Sequence, residues 1–122
     1  AKAMDEVVIA LMIEKKGAIE QLDEILGVPG IDMVQFGPSD YSISIGKPGQ
    51  GGDPEVQAAH RKMIERALAM GVHPRVELGS FEQAKRYMDM GVRHFCVGWD
   101  VGIIYGWCKQ QDKLIEELGI RR

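Results

Sequence analysis

Cysteine is almost absent from this chain: only Cys96 and Cys108 occur, and no CxxC is formed. That argues against a disulfide framework and fits two small apolar thiols in a reducing cytoplasm. Basic clusters are equally scarce. No basic run exceeds a pair such as Lys15-Lys16 or Arg121-Arg122, and a net charge of −3 gives no general affinity for nucleic acid or anionic lipid. No apolar run approaches the roughly 20 residues of a membrane span, and the N-terminus carries no signal-peptide pattern. Catalytic signatures are missing too. His60, His73 and His94 form no HExxH or HxH, and no serine sits in a GxSxG elbow. His60 falls among polar neighbours and reads as solvent-facing. The glycine-rich stretch Gly46-Lys-Pro-Gly49-Gln-Gly51-Gly52 lacks both GxGxxG spacing and the Lys-Ser/Thr ending of a phosphate loop. It reads as a mobile connection long enough to cover a site.

What remains is ordinary in bulk and informative in pattern. The 122 residues, 45% hydrophobic and 27% charged, suffice for one globular domain over 1–122 with a modest core. Four short apolar runs, Val7 to Ile13, Ile31 to Phe36, Pro74 to Leu78 and His94 to Val97, read as strands buried on both faces of a parallel sheet. Helical periodicity follows each. Ala18, Ile19, Leu22, Ile25 and Leu26 make one stripe. Asp53-Pro54 caps a second helix bearing Val56, Ala59, Met63, Ala67 and Leu68. Ser80 caps a third with Phe81, Ala84, Tyr87 and Met88. A fourth, Val101 to Leu118, aligns Ile103, Ile104, Trp107, Cys108, Gln111, Leu114, Ile115 and Leu118 on one side, with Asp100 as its cap. The order predicts an α/β fold of about four βα units joined by right-handed crossovers. Gly30 to Asp40 and Gly91 to Asp100 echo each other: helix stop, strand, glycine, then an acid. Such repetition suits a barrel.

Glu14 ends the first run, and Asp40 follows the second in Gly37-Pro-Ser-Asp40. They lie about one strand–helix–strand unit apart, so adjacent parallel strands would bring both carboxylates to one rim, where ligands bind in such folds. Left alone, the two acids repel and one takes up a proton; a divalent cation removes the repulsion and completes its shell with water and substrate oxygens. The alternative is that Glu14 pairs with Lys15 or Lys16 and Asp40 caps a short helix. Arg75 and Glu77, two apart on the third strand, share a side, either toward a barrel interior or under a helix.

These residues also match a known pattern. Met12-Ile-Glu14, Val28-Pro-Gly-Ile-Asp32, Gly37-Pro-Ser-Asp40, Pro54-Glu-Val-Gln-Ala58 and Val97-Gly-Trp-Asp100 resemble the HpcH/HpaI family of class II, metal-dependent pyruvate aldolases, over nearly the whole chain. The resemblance implies the C-terminal half of a TIM (β/α)8 barrel, equivalent to strands five to eight. It implies Mg²⁺, Mn²⁺ or Co²⁺ held by Glu14 and Asp40. It also implies reversible cleavage of 4-hydroxy-2-oxo acids to pyruvate and an aldehyde, with the cation acting as a Lewis acid toward the pyruvate enolate. Gly37 and Ser39 match the loop whose amides hold the substrate carboxylate, and Pro38, Met12, Glu77 and Trp99 match pocket positions. Met12 stands where glutamine is frequent and Arg75 where glycine is usual, while Glu77 and Trp99 replace smaller or aliphatic residues.

A whole barrel needs about 250 residues. The family's catalytic histidine and enolate-stabilising arginine match nothing in this chain and belong to the other half. Three arrangements follow: a fragment of a longer protein, a half-barrel that pairs with itself or with a partner, or an intertwined packing. Each implies association, and a catalytically silent assembly module is the alternative to an aldolase half. A phosphate-binding half-barrel, using the Gly79-Ser80 helix start, is a third possibility.

Overall fold

The computed structural model describes residues 6–120. Four parallel strands, β1 (Ala10–Ile13), β2 (Met33–Phe36), β3 (His73–Leu78) and β4 (His94–Val97), lie in chain order in one sheet. Between and after them run α1 (Lys16–Glu20), α2 (Leu22–Leu26), α3 (Pro38–Ser44), α4 (Pro54–Ala69), α5 (Ala84–Asp89) and α6 (Asp100–Glu117), with a single 3₁₀ turn at Phe81–Gln83 before α5. The expected α/β order of four βα units is therefore present. Val7 and Val8, assigned to the first strand from their hydrophobicity, stay exposed and outside it.

Burial on both faces of the strands is not what forms. Ile13, Val34, Phe36, Val76 and Leu78 join one core with Val56, Met63, Ile64 and Ala67 of α4 and with Leu22 and Leu26 of α2. The residues between them point to the opposite face. There the register aligns Met12 with Gln35, Gln35 with Arg75 and Arg75 with His94, and pairs Glu77 with Cys96. That second face is polar, and Met12, His73 and Glu77 on it are exposed. Charged and polar side chains keep their solvation there, so the alternation of a one-sided sheet replaces continuous burial. Arg75 and Glu77 thus lie on the side that is the interior of a barrel.

The helix α4 forms because its ends and its stripe agree. The Asp53 carboxylate accepts from the Glu55 amide at 2.8 Å, and Pro54 occupies the first turn, where its missing N–H costs nothing. Val56, Ala59, Met63, Ile64 and Ala67 are buried; each of the larger ones contributes about 1.5–3 kcal/mol. Gly71, at φ +78°, ends the helix, with Val72 donating to the Ala67 carbonyl at 2.9 Å.

Other expectations need correction. The Ala18–Leu26 stripe is carried by two short helices broken at Gln21, although Ile19, Leu22 and Leu26 all still face the core; nothing in the residue types marks the break. Ser80 stands at the N-cap position of the 3₁₀ turn, not of α5, and makes no capping hydrogen bond. Its side chain bonds to Glu82, holding that carboxyl below its usual range, and Phe81 and Met88 are exposed. Asp100 is the first residue of α6 rather than its cap, and its carboxylate accepts from the adjacent Val101 amide at 2.8 Å. The stripe of α6 buries nothing: Ile103 and Ile104 are 63% exposed and Trp107 62%. Periodicity predicts a stripe, not what covers it. Cys108 is exposed on this helix and Cys96 half-buried; both are free thiols. Among the described residues no helix is long and apolar enough to cross a membrane.

Candidate active site

All four strands run the same way, so their exits share one rim. The register that pairs Ile13 with Phe36 puts Glu14, the next residue of β1, beside Gly37. A Cβ built on Gly37 would lie 2.9 Å from Glu14 Cβ, 3.0 Å from Glu14 Oε2 and 3.3 Å from Met12 Cε. The Glu14 carboxylate and the Met12 side chain therefore lean over the Gly37 backbone, and only glycine leaves room for them. The Gly37 amide is already donated to the Ile13 carbonyl at 3.1 Å, so what this residue contributes is space.

Beyond Gly37 the chain turns at once into α3, with Pro38 at its first position and Asp40 in its first turn. The turn is fixed from beneath, since Ser42 is buried and its hydroxyl donates to the Ser39 carbonyl at 2.7 Å. Asp40 is thus inside a short helix rather than its cap. The Ser39 and Asp40 amides precede the first intrahelical donor, Tyr41, and have no partner within the helix.

A cavity of about 670 Å³ opens at this rim. Met12, Gly37, Pro38, Ser39, Asp40, Glu77 and Trp99 all line it, so the structure brings together seven of the eight residues singled out from sequence. The eighth, Glu14, is not on the lining but adjoins it across Gly37. Trp99 covers the far side with its indole against α6; a Cβ on Gly102 would come within 2.1 Å of Trp99 Nε1. The glycine-rich connection contributes Gly51. Its Lys47 is turned away, bonding both Asp53 oxygens at 3.0 Å and Glu55 at 3.0 Å; these carboxylates hold the ammonium pKa above its ordinary value. The lining therefore holds two carboxylates, Asp40 and Glu77, and no lysine or arginine.

Sequence reasoning missed three parts of this cavity. Gln35 is buried, accepts a hydrogen bond from Arg75 Nη1 and donates to Glu77 Oε2 at 3.4 Å. It links Glu77, on the lining, to Arg75, which lies off it, and its place within an apolar run was the available signal. His60 is not solvent-facing. It stacks on Phe36 at 4.9 Å between centroids and packs at 5.5 Å from Tyr87, and burial followed by the charge of Arg86 lowers its pKa from 6.5 to about 4. Its position four residues after Val56 and three before Met63 places it on the buried stripe. Tyr87 completes the wall.

Glu14 and Asp40 supply hard carboxylate oxygens beside a cavity without a lining cation, which suits a divalent ion. Among the described residues no group of three His, Cys, Asp or Glu side chains could hold a metal. The two carboxylates therefore fit an open site that takes its other ligands from water or substrate, not a closed structural one.

The HpcH/HpaI aldolase/citrate lyase family model matches residues 2–105. The chain is 35% identical over 103 residues to the 4-hydroxy-2-oxo-heptane-1,7-dioate aldolase of Escherichia coli, a match covering 84% of this chain and 39% of that relative. It superposes on the HpcH/HpaI aldolase from Desulfitobacterium hafniense DCB-2 with a TM-score of 0.87 and 29% identity, covering 99% of this chain and 48% of that one. With the citrate synthase SbnG the TM-score is 0.90 at 28% identity, over 98% of this chain and 49% of the other. The chain thus spans about two fifths of its curated relatives and half of these solved barrels. Its four βα units are the C-terminal half of a TIM barrel, and the chain belongs to the HpcH/HpaI aldolase/citrate lyase family.

Proposed function

We propose that this chain is the metal- and substrate-holding half of a carbon–carbon lyase that reversibly cleaves 4-hydroxy-2-oxo acids to pyruvate and an aldehyde. One observation carries the reading: the Glu14 carboxylate folds over Gly37 at the strand exits, beside Asp40 and a cavity with no lining cation. Glu14 and Asp40 would hold Mg²⁺, Mn²⁺ or Co²⁺. When bound, the cation supplies Lewis acidity toward the oxygen that gains charge as the substrate enolises. The amides of Ser39 and Asp40 face the carboxylate of the 2-oxo acid, with Pro38 fixing their direction. Met12 and Trp99 give the cavity its apolar walls, and Glu77, braced through Gln35, limits the acceptor aldehyde. His60 is neutral at physiological pH and its ring is packed between aromatics, so proton transfer is left to groups of the other half-barrel. The isolated chain is accordingly expected to bind without turning over.

A second reading, a catalytically silent assembly module, draws on α6. A helix whose stripe of Ile103, Ile104, Trp107 and Leu114 stays exposed supports association, with a second copy or with the missing half-barrel. In either reading residues 1–122 act as one unit in the cytoplasm. Calorimetry separates the two. Pyruvate should bind only when Mn²⁺ is present, and both Glu14→Gln and Asp40→Asn should abolish that binding. Metal-independent pyruvate binding, or none in the unaltered chain, favours the assembly module.

A further inference from the structure

A second cavity, of about 450 Å³, lies between α4 and α5 on the helix side of the sheet. It is separated from the candidate active site by Gln57, His60 and Tyr87, which line both. Its chemistry is the reverse of the first. Arg61 and Arg86 line it and no carboxylate does, and neither guanidinium forms an ion pair among the described residues.

Both arginines are exposed, so the groove presents them to solvent with their charge unneutralised. Arg86 lies over the Tyr87 ring at 4.5 Å and donates from Nη2 to the Tyr87 hydroxyl, which fixes the plane of the guanidinium. An arginine has five N–H donors, so a preset fork remains for a planar or tetrahedral oxyanion. The charge already acts on its surroundings, since Arg86 is one of the two causes that lower the His60 pKa. His60 Nε2 is fully enclosed with no hydrogen-bond partner, which leaves a buried polar atom unsatisfied beside the groove. Away from the arginines the walls are apolar, formed by Pro54, Ala58, Ile64 and Met90.

We propose that this groove is a second binding site, for a small organic anion. Its charged end lies between Arg61 and Arg86, and its apolar body rests on Ala58, Ile64 and Met90. The site is independent of the aldolase reading, because Glu14 and Asp40 take no part in it. Because His60 and Tyr87 belong to both walls, an occupant of the groove restricts the same side chains that shape the catalytic cavity. That gives the site a route to influence the first without contacting it.

Benzoate and inorganic phosphate serve as probes, titrated into the 122-residue chain and followed by amide chemical shifts. Benzoate should saturate, moving the amides of Ala58, Arg61, Arg86 and Met90 more than those of Met12 or Gly98, and should bind more tightly than phosphate. The Arg61→Ala, Arg86→Ala double variant should weaken benzoate by at least about ten-fold, the loss of a charge-assisted hydrogen bond, with an unchanged far-UV spectrum. Arg61→Lys with Arg86→Lys should restore part of the affinity. The proposal is overturned if benzoate fails to saturate, if the alanine variant binds as the unaltered chain does, or if phosphate binds as tightly as benzoate. The last result would reduce the groove to a patch of charge.

Discussion

Acidification should weaken this fold through one residue. In the folded chain burial and the Arg86 charge hold His60 near a pKa of 4, against 6.5 for an unconstrained imidazole. Between those values the unfolded chain takes up a proton that the folded chain refuses, so stability rises with pH across the window and falls as pH drops through it. Above about pH 6.5 both states are neutral and the contribution vanishes. Applying the two pKa values, the loss between pH 7.5 and pH 5 comes to about 2 kcal/mol. Urea denaturation at the two pH values reads this directly, as a fall of about 1 M in midpoint for a chain of this size. His60→Phe keeps the stack on Phe36 and Tyr87 but cannot titrate. The difference in stability between the unaltered chain and this variant should therefore change by about 2 kcal/mol over the window, because everything common to both chains cancels. A difference that stays flat from pH 7.5 to pH 5 would refute both the burial of His60 and its place in the wall between the two cavities.

Further outcomes follow from the same packing. Gly37→Ala places a methyl group 2.9 Å from Glu14 Cβ, so it should cost about 1–3 kcal/mol in urea and weaken Mn²⁺ binding by about ten-fold or more. Met63→Ala, in the middle of the core, should destabilise by about 2–5 kcal/mol without changing metal affinity. Ile104→Lys with Trp107→Glu should lower the mass measured by light scattering toward that of one chain; an unchanged assembly would remove α6 from the interface.

The fold was legible where local signals agreed. Asp53-Pro54, the Val56–Ala67 stripe and Gly71 mark one helix at both ends and along its face, and α4 occupies that span. Strand–helix alternation gave the parallel order because each apolar run is short and bounded by glycine or proline. Hydrophobicity misled where it has no positional meaning: Val7 and Val8 are as apolar as β1 yet lie outside it, and the α6 stripe has no cover within the described residues. The helix α3 entered only as the alternative in which Asp40 caps a short helix, because seven residues opening on Gly37-Pro38 carry too short a period to register. At the site, Glu14 and Asp40 stood out because hard acids follow apolar runs, whereas Gln35 and His60 were hidden by the same logic. A neutral polar group within an apolar run reads as an exception until its partners are known, and those partners, Arg75 and Glu77 for Gln35 and Phe36 and Tyr87 for His60, lie far away in sequence.

Glu14 and Asp40, at one rim, are the proposed cation grip. Paramagnetic resonance of free Mn²⁺ during titration with the chain measures that grip without requiring turnover. One Mn²⁺ should bind per chain, with the site lost in Glu14→Gln and in Asp40→Asn and retained in Glu77→Gln. Equal binding by the unaltered chain and both of the first two variants would contradict the central claim.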